Sequence, residues 1–323
     1  MRPLTLIFGA NNSGKSTVLE AAALALRAPD PGQWVQVARH RDMDMPLSDG
    51  LWSLFPGGAA MRLEDGPQQS EALVIDAKLT GTGHRRVEAR CLASESWDGD
   101  PTSEAVLRLE LRIDGKAAQT MEFRRGARIS QWPVGKAYKV FTVTPATHRS
   151  TKALVEHLSR VVDEGKKHVA VEVLQLFDTD VEDIDVIASL GREAVRVTHR
   201  QRGVVDLASF GDGMRRATAL SLALVRASRG LLLIDEIEAG IHHALHEKVF
   251  DKLFAAAHDL NVQILATTHS LEAIDATLTC IEKAGREDGF CAYWLTRSNA
   301  TPEARRYDHE KLSALRDGGL DIR

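Results

Sequence analysis

Apolar residues recur along this chain with two different periods. Residues 3–8 (Pro-Leu-Thr-Leu-Ile-Phe) form a short apolar run that predicts a buried strand. A glycine-bearing turn, Gly9–Ser16, follows. Thr17–Arg27 then sets Val18, Leu19, Ala22 and Leu26 on one face at helical spacing. Residues 28–70 are rich in Pro, Gly and Asp and read as loop with short helices. The period changes to two across 71–143. Leu73–Leu79, Arg86–Leu92, Ala105–Ile113 and Gln119–Arg125 read as strands, and Asp114-Gly115 supplies a hairpin turn that tolerates positive φ. This segment is expected to be an antiparallel β lobe, 71–143, inserted into a larger domain. Thr151–Phe177 reads as mostly helical, within a helical segment at 149–180. Ile184–Ala188 and Ala194–Thr198 read as two short strands around a turn at 190–192.

From Ser209 the rhythm alternates. Met214–Ser228 reads as a helix and Leu231–Ile234 as an apolar strand ending in Asp235-Glu236. His243–His258 is a helix, and Gln263–Thr267 is another buried strand ending near His269. Strand, helix and strand with polar residues at the carboxyl ends predict an α/β fold whose sheet is covered on both faces.

With 323 residues, 44% hydrophobic and 27% charged, the chain is long enough to bury a substantial core, and collagen-like, disordered and disulfide-scaffold classes are excluded. No apolar run approaches the ~20 residues of a membrane helix. The net charge of -4 neither announces nucleic-acid binding nor excludes a local basic groove. Three cysteines without a CxxC pair, and no charged-then-apolar leader, lead us to expect a reduced, cytoplasmic setting.

Chemistry enters first at the turn. Gly9-Ala10-Asn11-Asn12-Ser13-Gly14-Lys15-Ser16 matches G-x-x-x-x-G-K-[ST] and stands between a strand and a helix, the context such a loop requires. The glycines let successive N–H groups converge on one anion, and the helix start at Thr17 adds its dipole. Lys15 is placed to reach the β- and γ-phosphates, and Ser16 to give its hydroxyl oxygen to Mg²⁺. Asp235 and Glu236 leave a buried strand at its carboxyl end, where open α/β sheets bind ligands. Asp235 is expected to hold Mg²⁺ and Glu236 to polarise the water that attacks the γ-phosphate.

Ser209-Phe210-Gly211-Asp212-Gly213-Met214 opens a helix with a second anion-facing N-terminus, 22 positions before Asp235. A plain N-capped helix is the alternative. Since each protomer already has a phosphate loop, this second start is expected to meet ATP bound to another copy, with Asp212 pointing away or capping. His269 follows the last strand beside the acidic pair. His242 and His246 have a spacing that suits zinc, but no third ligand is apparent.

Together these residues resemble the ABC-type ATPase superfamily, with the RecF/SMC-related, OLD-like ATPases of bacteria as the nearest branch. Ser209–Met214 is similar to the LSGGQ signature, departing from it at Asp212 and Met214. The resemblance is carried by residues 3–27 and 205–270, and the tail Trp294–Arg323 with its strand-like pieces also resembles that branch. It implies a P-loop NTPase fold with a mixed sheet and an inserted antiparallel β lobe, one ABC-type head over 1–323 whose core lies in 1–30 and 200–300.

It further implies a homodimer closing over two ATP molecules. Gly9, Asn11, Asn12, Ser13, Gly14, Lys15, Ser16 and Thr17 would come from one copy, and Ser209, Gly211 and Gly213 from the other. Glu236 and His269 would be catalytic, with His269 on the γ-phosphate. Ser16 and Asp235 would hold Mg²⁺. Glu238–His242 would be the D-loop that touches the partner. For the Q-loop glutamine, Gln33 and Gln36 are the candidates. Family members carry a further strand or hairpin before the phosphate-loop strand. None is visible here, so either an uncovered sheet edge or a late start is expected.

No heptad arm interrupts the chain, and the 54 residues after His269 are too few for a fused TOPRIM nuclease. A complete ATP engine without a second catalytic constellation leads us to expect a subunit that gates a separate effector such as a nuclease or toxin, acting in phage defence. A RecF-like DNA clamp in repair is the second reading, with Arg85, Arg86, Arg124, Arg125 and Arg128 lining a basic strip. A soluble transporter ATPase is the third.

Overall fold

The computed structural model describes residues 2–41, 44–57, 67–79, 83–95, 105–116, 119–123, 138–189, 192–298 and 301–319. It divides into two compact units, Met1–Leu19 with Lys139–Arg323, and Glu20–Tyr138. The boundary falls inside the first helix.

The first unit holds strands β1 (Leu4–Phe8), β7 (Val140–Val143), β8 (Val181–Ser189), β9 (Arg192–His199), β10 (Gly203–Asp206), β11 (Leu231–Ile234), β12 (Gln263–Thr268), β13 (Phe290–Ser298) and β14 (Thr301–Tyr307). Its helices are the start of α1 (Lys15–Arg27), α4 (Thr151–Asp163), α5 (His168–Leu174), α6 (Asp212–Arg226), α7 (His246–Asp259), α8 (Leu271–Lys283) and α9 (His309–Asp317). The second unit holds α2 (Pro31–Arg41), α3 (Leu47–Trp52), β2 (Gln68–Gln69), β3 (Leu73–Leu79), β4 (Gly83–Glu95), β5 (Ala105–Ile113) and β6 (Gln119–Phe123).

Among the described residues, six strands of the first unit form a sheet in the order β14-β13-β1-β12-β11-β7. All pairs are parallel except β13 with β14, so the sheet is mixed. The parallel strands are short apolar runs because both of their faces are covered, which removes the alternation of a half-exposed strand. On one face, Leu4, Leu6, Phe8, Leu232, Ile234, Ile264 and Ala266 pack with apolar residues of α6, α7, α8 and α9. A second cluster joins α4, α5, β8 and β9 to Met214, Ala219, Leu222 and Val225 of α6. Helix α6 therefore lies between two cores. That is why it is buried nearly all round from Arg216 to Val225.

Two sequence expectations are revised by this topology. The inserted lobe was expected to run to residue 143, but Val140–Val143 pairs in parallel with β11, so this strand belongs to the six-stranded sheet. Its apolar residues suit either setting, and the strand partner decides. An uncovered sheet edge was one of two alternatives expected for the start of the chain, and it is not seen at β1, which is paired with β12 on one side and β13 on the other, Leu4 opposite Phe290 and Phe8 opposite Trp294. The strand-like pieces expected in the tail are the end of β13 and β14, after which Asp308 caps α9 by accepting the Lys311 N–H at 3.0 Å. The tail's last residues, 320–323, lie outside the described residues, as does part of the turn read at 190–192.

In the second unit, β3, β4, β5 and β6 form an antiparallel sheet with β2 at its margin. Val87, Ala89, Cys91, Leu107, Leu109, Leu111 and Met121 make its buried face. The other face is a lattice of opposite charges. Glu88 stands across from Arg112, and Arg90 from Glu110. Arg86 pairs with Asp76 at 3.0 Å and Glu88 at 2.7 Å, and Arg85 with Asp114 at 3.3 Å. These exposed pairs add little stability, but they neutralise the described part of the expected basic strip. Arg124, Arg125 and Arg128 lie outside the described residues. Gln33 and Gln36 both fall on α2 of this unit.

No helix among the described residues is long and apolar enough to cross a membrane.

Candidate active site

The phosphate loop leaves β1 at Gly9, whose φ is 145°, and passes Asn12 at 61° and Gly14 at 95° before α1 begins at Lys15. Gly9 is fixed by packing as well as by its dihedral. A Cβ there would stand 2.1 Å from the Leu295 carbonyl oxygen, because β13 runs alongside. Ser13 donates its N–H to Ala10 O at 3.3 Å, while its own hydroxyl is buried without a partner. Lys15 arches over the loop and donates to the carbonyls of Gly9 and Ala10, both at 2.9 Å. Burial pushes the Lys15 ammonium below its ordinary pKa, and the charges of Asp235, Glu236 and Glu238 work in the opposite direction. Asn11, Asn12, Ser16 and Thr17 are exposed.

The carboxyl ends of β11 and β12 face this loop. Ser16 Oγ donates to Asp235, 2.9 Å from Oδ2 and 3.1 Å from Oδ1. Thr267 links the two acidic residues: its hydroxyl donates to Asp235 Oδ1 at 2.6 Å and accepts the Glu236 N–H at 2.9 Å. Glu236 adopts φ 49°, a left-handed conformation uncommon for a residue with a Cβ. Arg216 holds the main chain here. It is fully buried, donates to the carbonyls of Asp235 at 2.9 Å and Glu236 at 3.0 Å, and also donates to Thr144 O. Burial lowers its pKa to about 10, so it stays charged at neutral pH. His269 places Nδ1 3.8 Å from Glu236 Oε1 and 3.5 Å from Glu238 Oε1.

A hydroxyl and a carboxylate side by side are hard oxygen donors of the kind Mg²⁺ takes, and Ser16 and Asp235 fit it. The partnerless Ser13 hydroxyl, the curled main chain and Lys15 fit the phosphates of a nucleotide.

Gly9, Ser13, Gly14, Lys15, Ser16, Asp235, Glu236 and His269 are thus gathered at one sheet end. Ser209, Gly211 and Gly213 are arranged separately. Ser209 donates to Asp206 O at 2.6 Å, and Gly211 is the N-cap of α6. Gly213 packs so closely that a Cβ would meet Gly240 O at 2.9 Å and Phe177 at 3.3 Å. Asp212 is not the cap: it is the first helical residue, flanked by Arg149 and Arg215 at 3.5 Å and by buried His148 at 3.6 Å.

Sequence reading missed Thr267, Arg216 and Thr144. Only Thr267 left a trace, as the polar residue that breaks an apolar strand just before His269. The zinc spacing is not used. His246 is buried with Nε2 on Ile241 O at 2.9 Å, and His242 Nδ1 accepts the Ala244 N–H at 3.3 Å. Another His/Asp group among the described residues is Asp178, Asp180 and His199. It is internally satisfied. His199 Nδ1 accepts the N–H groups of Gln201 and Arg202, and its Nε2–H therefore donates to Asp178 at 3.0 Å.

The fold and site define an α/β P-loop ATPase. Residues 116–275 match the sequence profile of the family described as "AAA domain, putative AbiEii toxin, Type IV TA system". The uncharacterized protein MJECL11 of Methanocaldococcus jannaschii is 38% identical over 115 residues, which is 35% of this chain and 99% of that protein. The chain belongs to the family of this archaeal protein and carries the AAA domain. Its backbone also aligns with heads of SMC proteins. An SmcHead bound to the C-winged helix domain of ScpA gives 13% identity, 96% and 91% coverage of the two chains, and a TM-score of 0.49. The SMC head domain from Thermotoga maritima gives 14%, 94% and 90%, and 0.41.

Proposed function

We propose that this chain is an ATP-binding and ATP-hydrolysing ABC-type subunit that closes as a homodimer around ATP and regulates a separate effector. The effector would be a nuclease or toxin acting in phage defence in the cytoplasm. The observation that carries the ATPase reading is the run of contacts from Ser16 to Asp235 to Thr267 to Glu236, which joins the phosphate loop to the acidic pair. The description of the matched family, which names a putative toxin and a type IV TA system, supports the link to a toxin.

Lys15 would release its two carbonyls and take the β- and γ-phosphates, and Ser13 Oγ would donate to a phosphate oxygen. Ser16 and Asp235 would hold Mg²⁺, which supplies charge neutralisation to the phosphates when bound. Glu236 would accept the proton of the attacking water, since its carboxylate is 41% exposed and can reach solvent. His269 would contact the γ-phosphate. Ser209, Gly211 and Gly213 would meet the nucleotide of the second copy at the start of α6, where Gly211 faces open space and Gly213 packs on Gly240 and Phe177.

The test is phosphate release together with a solution mass in ATP, in a non-hydrolysable ATP analogue and in ADP. Turnover of ATP and a doubled mass with the analogue alone support the proposal. No phosphate release, or a mass indifferent to nucleotide, overturns it. For the effector, purification of the native protein should bring down a nuclease or toxin, and its repeated recovery alone would count against that part.

A further inference from the structure

Glu238 carries a carboxylate for which the chemistry above has no use. Its side chain is 9% exposed, in the same neighbourhood as the half-exposed Glu236. Oε1 accepts the main-chain N–H of His269 at 3.2 Å and lies 3.5 Å from Nδ1 of the same residue. Oε2 is out of solvent and has no hydrogen-bond partner. A buried carboxylate oxygen without a donor is costly, and such groups persist where their charge is used. Lys15 and Arg216 feel that charge, which holds both more basic against their desolvation.

The backbone builds the arrangement. After β11 the left-handed Glu236 turns the chain, and Gly240 at φ 75° turns it again. Ala239 N–H donates to Glu236 O at 3.0 Å and Ile241 N–H to Glu238 O at 3.0 Å. The chain doubles back, and Glu238 meets the end of β12, where His269 begins its loop.

We infer that Glu238 is the positioning residue of His269, tethering its main chain and orienting its ring with Nδ1–H toward the carboxylate and Nε2 outward. This rests on His269 acting at the γ-phosphate. A carboxylate that accepts from one imidazole nitrogen fixes the tautomer and leaves the other nitrogen for the ligand. Burial excludes Glu238 from competing as the base. A proton taken from water needs a carboxylate that water reaches, which Glu236 offers.

The experiment is a double-mutant cycle on the full chain. Glu238→Met keeps the volume and leaves no acceptor for the His269 main-chain N–H or for Nδ1–H. In the wild-type background it is expected to lower kcat about tenfold with ATP affinity within about twofold. In a His269→Ala background the same change is expected to move kcat less than about twofold. An equal loss in both backgrounds, or no loss in either, overturns the inference.

A second readout needs no turnover. Nitrogen NMR of labelled histidine in nucleotide-free protein at pH 8 is expected to show His269 as the Nδ1–H tautomer, giving way to Nε2–H in Glu238→Met, which has no acceptor for Nδ1–H. An Nε2–H tautomer in the wild type overturns the inference. A wild type that hydrolyses no ATP sinks the ATPase reading, while the tautomer still decides the role of Glu238.

Discussion

The guanidinium of Arg216 donates to the carbonyl oxygen of Glu236 at 3.0 Å, tying the helix that opens at Gly211 to the residue proposed as the catalytic base. Three main-chain carbonyls share that one buried cation, so it cannot be exchanged for another base. Arg216→Lys keeps the charge but offers one small donor centre where a fork spans Thr144, Asp235 and Glu236. We expect a stability loss of about 2–4 kcal/mol from carbonyls left short of donors. Calorimetric melting reads the loss. Phosphate release should fall at least about tenfold, as the turn holding Glu236 relaxes. A variant with wild-type melting would show that the carbonyls find other donors.

Lys15 is a point charge with two carbonyls and no acid in direct contact. Lys15→Met fills the same buried space and removes the cation, so the fold should survive. Nucleotide affinity should not. A loss of about 100-fold in the dissociation constant is expected for a lysine that faces phosphate, read by titration with a fluorescent ATP analogue. Affinity within threefold of wild type would mean that the ammonium stays on Gly9 and Ala10 when nucleotide binds.

Glu236 and Thr267 separate binding from chemistry. Glu236→Gln should bind ATP normally, slow its hydrolysis by about 10²–10⁴-fold and hold the dimer closed, measured as a long-lived doubled mass in ATP. Thr267→Val has nearly the same shape but takes away the hydroxyl that donates to Asp235 and accepts from Glu236. It should lower both stability, by about 1–3 kcal/mol, and turnover. If Glu236→Gln turns over like the wild type, the proton goes elsewhere.

These predictions use residues of two kinds. Lys15, Ser16, Asp235 and Glu236 were legible because their chemistry demands a fixed spacing from a strand end, and strand ends show as the limits of apolar runs. The alternation of Leu73–Leu79 and Ala105–Ile113 likewise gave those strands their observed bounds. Arg216 was not legible. An arginine in the first turns of an amphipathic helix reads as solvated, and what buries it is the chain leaving β7 and β11, where Thr144, Asp235 and Glu236 present their carbonyls. Nor was Val140–Val143 placed correctly, since four residues, three of them apolar, carry no record of which sheet they join. Gly9 read as a loop glycine, although its closest constraint is Leu295, which lies at the far end of the chain. Local pattern encodes chemistry at fixed spacing, whereas long-range packing leaves no local mark.

The last prediction concerns pH. Burial lowers the pKa of His148, His157 and His246 below the ordinary imidazole value of 6.5. In each case the unfolded chain takes a proton at a pH where the folded chain does not. Stability rises with pH wherever the unfolded state binds more protons, so these histidines cost nothing above 6.5 and destabilise the fold as pH falls below it. The opposite limb comes from Cys91 and Cys280, whose buried thiols are pushed up from 9.0 to about 12. Above pH 9.0 the unfolded chain gives up thiol protons that the folded chain keeps, and stability falls again as pH rises. Melting temperature should therefore be flat between the two limits and decline on both sides. His157 lies edge-on to Phe141, so His157→Phe tests the acid limb without emptying the site, and the decline below 6.5 should become shallower. Cys91→Ala should do the same for the alkaline limb. An acid limb unchanged in His157→Phe would assign it to carboxylates instead, with its midpoint near their lower values.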